Sequence, residues 1–270
     1  HGLVGGADFH SGYQGNEEWG FEGAHGTVDD TPEKRLNDAP SPSGEPNPVV
    51  SSAATAAVWA DENTREGIFD AMARRETYGT SGTLIRLRYF AGWDFSAADL
   101  ASDDWASEGY SRGVPMGQDL PAMPAGAAGP TIMVKAMKDP ESGNLDRIQI
   151  IKVWSDARTL QPKEQIFDVA LSDGRTVADD GSVEPVGNTV DVSAATYTND
   201  IGDPELSAVW TDPEFDATVP TAYYVRVLEI PTPRWSTYDA ARNNLPLPTI
   251  VPATLQERAW SSPIWYTPAK

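Results

Sequence analysis

Beyond Gly113 the chain reads as short apolar segments separated by turn residues, and this rhythm restricts the fold more than any other property of the sequence. Segments 131–137, 146–154, 165–171, 190–196, 206–210 and 222–230 are rich in β-branched and aromatic residues. They are too short and too regularly interrupted to be helices of ordinary length, so they predict an antiparallel sandwich. Within 222–230, Tyr223, Val225 and Val227 fall on one face of a strand and Tyr224, Arg226 and Leu228 on the other. Ser172-Asp173-Gly174 and Asp180-Gly181 are turn signals between strands. The tail from 232 to 270 is rich in proline and aromatic residues, with Trp235, Trp260 and Trp265, and is predicted to cross the surface as irregular structure.

The first third has a different grammar. Residues 2–7 form a short apolar run bounded by glycine, the pattern of a buried strand ending at a functional edge. From 11 to 52 Gly, Pro, Asn, Asp and Glu predominate, so a long irregular loop is predicted, and loops of this length are commonly functional. A helix is predicted over 64–75: Asn63 or Thr64 caps it, Ile68, Phe69 and Met72 recur at helical spacing, and Gly79 and Gly82 end the run. Residues 84–90 then alternate apolar and basic side chains, the period of a half-buried strand.

Composition removes several function classes. At 270 residues with 40% apolar content the chain can build a substantial core. A net charge of −20 repels nucleic-acid phosphates and anionic membranes, so the expected partner is a small-molecule substrate and not nucleic acid. No run approaches the roughly 20 apolar residues of a membrane span. Cysteine is absent, so disulfides and thiolate chemistry are excluded and any metal must be held by His, Asp, Glu or backbone oxygen. These features are compatible with the periplasm or export, and they leave oligomeric state open.

Candidate chemistry is concentrated near the start. On extended backbone, side chains two apart project to the same side, so Asp8 and His10 are expected to converge on one ion. A hard carboxylate with a borderline imidazole suits zinc, manganese or iron. Glu17 and Glu18 follow closely, either as groups that orient a ligand or as ordinary loop carboxylates. His25, flanked by small residues, is either a ligand or substrate contact or a solvated loop histidine. The stretch from Arg75 through Tyr78 to Arg86 gathers guanidinium groups, hydroxyls and glycines at a helix-to-strand corner. That corner either binds an anion or is structural, with the arginines paired to carboxylates and Tyr78 packed. No Gly-x-Ser-x-Gly elbow or phosphate-binding glycine loop is present.

Five motifs taken together, Gly5-Gly6-Ala7-Asp8-Phe9-His10, Arg75-Glu76-Thr77-Tyr78-Gly79-Thr80-Ser81-Gly82, Leu145-Asp146-Arg147-Ile148-Gln149-Ile150, Leu228-Glu229-Ile230-Pro231-Thr232-Pro233-Arg234-Trp235-Ser236 and Ala259-Trp260-Ser261-Ser262-Pro263-Ile264-Trp265, closely resemble the C-terminal part of the domain-of-unknown-function 3604 family, nearly end to end. That family looks related to the polymerase and histidinol phosphatase (PHP) type metallohydrolases, whose barrel ends its ligand set with an Asp-x-His motif. The resemblance implies an α+β chain: a C-terminal remnant of a PHP-like β/α barrel over 1–90, then an antiparallel immunoglobulin-like β-sandwich over 91–270. It also implies that Asp8 and His10 ligate a divalent metal, zinc, manganese or iron, whose bound water attacks an ester-like substrate, with phosphoesters among the candidates. Ala7 and Phe9 depart from the family's usual serine and small residue, and the family's earlier His-x-His ligands have no counterpart here. A chain that opens with His and enters an apolar run at once is expected to be a processed or truncated polypeptide, inactive alone. The competing expectation is a non-catalytic binding module, with the Trp-rich tail as its recognition surface.

Overall fold

The computed structural model describes residues 1–10, 17–41, 44–156, 159 and 161–268. Of the predicted 11–52 loop, residues 11–16, 42 and 43 therefore lie outside the described residues. In chain order the strands are β1 (Thr55–Val58), β2 (Thr77–Thr80), β3 (Arg86–Gly92), β4 (Gly113–Pro115), β5 (Thr131–Met137), β6 (Leu145–Ser155), β7 (Pro162–Leu171), β8 (Glu205–Thr211), β9 (Thr221–Pro233), β10 (Thr254–Ser261) and β11 (Ile264–Tyr266). The helices are α1 (Pro32–Arg35), α2 (Arg65–Ala73), α3 (Ala97–Ala101), α4 (Trp105–Arg112) and α5 (Trp235–Asn243).

Among the described residues the strands form two antiparallel sheets, which gives an α+β fold. One runs β1-β2-β10-β9-β6-β7 with β11 added to β9, and the other runs β4-β3-β5-β8. Period-two alternation accounts for their contact. Leu87, Tyr89, Ile132 and Val134 of the smaller sheet meet Ile148, Ile150, Tyr223, Val225 and Val227 of the larger in one core. Burying an apolar side chain of this size contributes about 1.5–3 kcal/mol before entropy is counted. The Tyr89 hydroxyl crosses that core to donate toward the carbonyls of Tyr223 (3.0 Å) and Ser262 (2.8 Å), so its polar tip is satisfied. A second buried link is ionic: Lys152 Nζ lies 2.7 Å from Asp212 Oδ2, which also accepts from the Tyr223 hydroxyl at 2.5 Å.

Five of the six strand segments expected beyond Gly113 are strands with bounds shifted by a few residues at most. The sixth, 190–196, is a turn closed by one bridge between Asp191 and Thr196. Asp191 Oδ1 accepts from the amides of Ser193 (2.9 Å) and Ala194 (3.1 Å), and this local bonding replaces a ladder. The expected irregular tail is corrected more fully, because it supplies α5, β10 and β11, with β10 in the interior of the larger sheet. α2 begins where predicted: Thr64 Oγ1 accepts from the Gly67 amide at 3.0 Å. Its Ile68, Phe69 and Met72 face solvent, however, and only Ala71 is buried.

No barrel is formed by the described residues. The connection β1-α2-β2 returns antiparallel, whereas a β/α barrel unit must return parallel. Nor are residues 2–7 a strand; they lie across the larger sheet and are held by side chains. Leu3 N donates to Ser262 Oγ (2.8 Å), and Thr77 Oγ1 donates to the Leu3 carbonyl (2.7 Å). Gly5 is pressed onto the Thr55 backbone so closely that a Cβ would stand 2.5 Å from the Thr55 carbonyl oxygen. Residue 90 lies inside β3, which pairs with β4 and β5, while β2 pairs with β10.

Candidate functional site

The docked N-terminal segment carries Asp8 and His10 into the open. Asp8 adopts a left-handed backbone, φ 54°, and not the extended one expected from its sequence context. The side chains still converge: His10 Nε2 lies 3.5 Å from Asp8 Oδ1, with 61% and 92% of the two side chains exposed. His10 is fixed through its amide, which donates to the Ala24 carbonyl at 2.8 Å. That bond brings the His25 loop alongside, and the two imidazole rings meet edge to face with centroids 5.2 Å apart. His25 is oriented from behind. Its Nδ1 faces Asp29 Oδ2 at 3.4 Å, and the buried Asp29 also accepts from the amides of Ala24 and His25, both at 2.8 Å.

Asp8 and His10 bring one carboxylate and one imidazole donor together. Two donors about 2.1 Å from a tetrahedral ion stand roughly 3.4 Å apart, close to the observed Asp8–His10 separation and too long for a good hydrogen bond. A histidine whose second ring nitrogen faces a carboxylate is the usual arrangement around a ligating imidazole, and His25 with Asp29 has it. Among the described residues no group of three or more His, Asp or Glu side chains is placed to hold an ion.

Glu17 and Glu18 diverge from that pair. Glu17 Oε2 accepts from Trp19 Nε1 at 2.6 Å, and burial, with Asp139 and Glu141 nearby, raises its pKa. Glu18 turns inward, accepting from Ser52 Oγ at 2.6 Å and from the Trp235 amide, and burial raises its pKa against the pull of Arg234. It belongs to a buried carboxyl group that sequence reasoning missed. Glu229 and Glu257 are 0% and 2% exposed, and burial pushes each up to about 8; Glu18 adds repulsion on Glu257. Ser142 Oγ donates to Glu229 and Ser81 Oγ to Glu257, yet one oxygen of each carboxyl has no partner. Thr83 stands near enough to Glu229 to lower its pKa, although its Oγ1 makes no bond of normal geometry. The adjoining cavity, about 20 Å³, admits roughly one water and no substrate. Glu229 and Glu257 therefore hold protons at neutral pH inside the fold, out of a substrate's reach. One signal could have found Glu229: it shares the inward parity of Tyr223, Val225 and Val227 on β9.

The helix-to-strand corner is largely structural. Tyr78 is buried and donates to the Ile85 carbonyl at 3.1 Å. Arg75, with φ 64°, packs on Gly2 and reaches Asp119 at 3.9 Å. Arg86 is separated from both, exposed on the outer face of β3. Of the tail tryptophans expected to form a recognition surface, Trp235 is 1% exposed and packs against Phe21 at a tilt of 44°, with ring centroids 4.6 Å apart.

No helix among the described residues is long and apolar enough to cross a membrane. A family model described as "Protein of unknown function (DUF3604)" matches residues 1–268. Neither a curated protein nor a solved structure matches the chain.

Proposed function

This chain belongs to the DUF3604 family, and on that premise we propose that it takes part in metal-dependent hydrolysis of an ester-like substrate, with Asp8 and His10 as two ligands of a divalent ion. The reading includes a relationship to PHP-type metallohydrolases, and it places the remaining donors outside the described residues. The observation that carries it is the 3.5 Å separation of Asp8 Oδ1 and His10 Nε2, the spacing of two donors on one zinc-, manganese- or iron-like ion.

The chain's own groups have separable tasks. Asp8 brings negative charge to an open surface where substrate has access. The His10 amide bond to Ala24 fixes the segment, and Asp29 faces Nδ1 of His25, whose ring meets that of His10 edge to face. A bound divalent ion would supply Lewis-acid activation of the nucleophile and of the ester.

Elemental analysis after exchange into zinc, manganese or iron, on protein that also carries the remaining donors, tests the proposal, together with turnover of phosphate and carboxylate esters. Asp8→Ala and His10→Ala are expected to lose bound metal and metal-dependent turnover together. Unchanged metal content and turnover in both variants, with folding intact by circular dichroism, would overturn it. A folded protein that takes up no metal would favour the binding-module reading.

A further inference from the structure

A second concavity, about 460 Å³, opens on the outer face of the smaller sheet, away from the shared core. Its volume falls in the usual range for small-molecule sites. The register builds it: Arg86 and Arg88 of β3 lie opposite Met137 and Lys135 of β5, which lie opposite Glu205 and Ser207 of β8. Trp59 and Trp105 form walls. Trp59 is pinned through Nε1, which donates to the Leu87 carbonyl at 2.9 Å.

Two of the cations in this groove, Arg88 and Lys135, rest on aromatic rings. The Arg88 guanidinium lies 4.4 Å from the Trp59 ring centroid and 5.2 Å from that of Tyr110. Its Nη2 donates to the Tyr110 hydroxyl at 2.8 Å, while its Nε is buried without a partner. Lys135 Nζ sits 4.9 Å from the Trp105 centroid. Glu76 is joined to Arg88 through the Tyr110 hydroxyl, and Glu205 stands at the rim. An aromatic face attracts a cation without cancelling its charge. In a chain of net charge −20, the groove therefore concentrates positive potential where the surface is otherwise acidic.

We propose that this groove binds a small organic anion, its oxyanion head held by Arg86, Arg88 and Lys135 and its ring or apolar body lying against Trp59, Trp105 and Met137. Guanidinium groups match planar and tetrahedral oxyanions through paired N–H donors. The anion-binding capacity suspected at the Arg75–Arg86 corner thus belongs to the Arg86 end, away from Tyr78. This site is independent of the metal reading.

Calorimetric titration of the full chain with phenylphosphonate, benzenesulfonate and benzoate tests it, with benzyl alcohol as the uncharged counterpart and inorganic phosphate as a head without a body. At low salt at least one aryl anion is expected to saturate, to bind about tenfold more tightly than benzyl alcohol, and to weaken about tenfold in the Arg86→Gln/Lys135→Gln double variant. Ser207→Glu, which adds a carboxylate to the groove, is expected to weaken binding without touching either cation. Whichever head binds best identifies the natural headgroup as planar or tetrahedral. Absence of saturation by all three aryl anions, equal binding of benzyl alcohol or inorganic phosphate, or undiminished binding in both groove variants would each overturn the proposal. So would binding lost in Asp8→Ala but kept in the double variant, because it would put the anion at the metal ligands.

Discussion

Glu229→Gln should make the protein more resistant to unfolding as pH rises. Glu229 has no exposed surface, accepts from Ser142 Oγ through Oε2, and leaves Oε1 without a partner. Burial raises its pKa from 4.5 to about 8. A raised carboxyl pKa means that the folded chain keeps its proton while the unfolded chain releases it. The stabilising contribution is therefore complete below the unfolded value of 4.5, falls as pH rises, and levels off above about 8. Each pH unit inside that window is worth about 1.4 kcal/mol, so from 4.5 to 7 the wild type loses about 3 kcal/mol through this one group. Glutamine cannot titrate, keeps an oxygen for Ser142, and presents its amide nitrogen toward Thr83. Urea denaturation of both proteins from pH 4.5 to 8, extrapolated to water, isolates the effect, because other titrations cancel in the difference. The variant's stability relative to wild type should climb by about 3 kcal/mol between pH 4.5 and 7. A flat difference across the window would refute the reasoning and show that Glu229 ionises normally in the folded state.

Two further substitutions probe how the first fifty residues are held. Arg35 Nε meets Asp239 Oδ2 at 2.7 Å with both side chains nearly buried, so Arg35→Ala should cost about 3–5 kcal/mol by stranding Asp239, measured as a fall in unfolding midpoint. The double variant Arg35→Met/Asp239→Leu should recover much of that loss; a single variant as stable as wild type would contradict a buried pair. Gly5→Ala should lift the N-terminal segment from the Thr55 backbone. The expected sign is faster amide exchange at Leu3 and His10 with the global unfolding midpoint little changed, and unaltered exchange would show that the contact does not hold the segment.

Legibility followed burial chemistry. β5, β6, β8 and β9 were readable because most of their inward positions are apolar, Lys152 and Glu229 being exceptions, and their outward ones are mixed, so period two survives in the sequence. β10 was hidden because the inward residues of its second half are Glu257, Ala259 and Ser261. α5 was hidden for the same reason: Ser236, Thr237 and Asp239 are among its buried positions, so no apolar stripe marks it. β1, β2 and β4 are too short to carry a period and exist through pairing with distant strands. At the site, Asp8 and His10 were visible as neighbours, whereas the approach of His25 depends on a loop contact through Ala24. The buried carboxyls were invisible as a group, because residues 18, 229 and 257 meet only after the sheet closes.

The placement of Leu3 sets an order of events during synthesis. Its amide is received by Ser262, and its carbonyl by Thr77, whose strand is completed by residues 259–261. A ribosome therefore releases Leu3 long before residues 259–262, which complete its anchorage, although the His10 bond to Ala24 can form at once. Until then β2 lacks its partner β10, and long-range pairing of this kind is slow. The nascent chain must wait with one sheet unfinished, exposed to misassembly, and a ribosome stalled before residue 259 would display Asp8 and His10 without the Ser262 contact that seats Leu3.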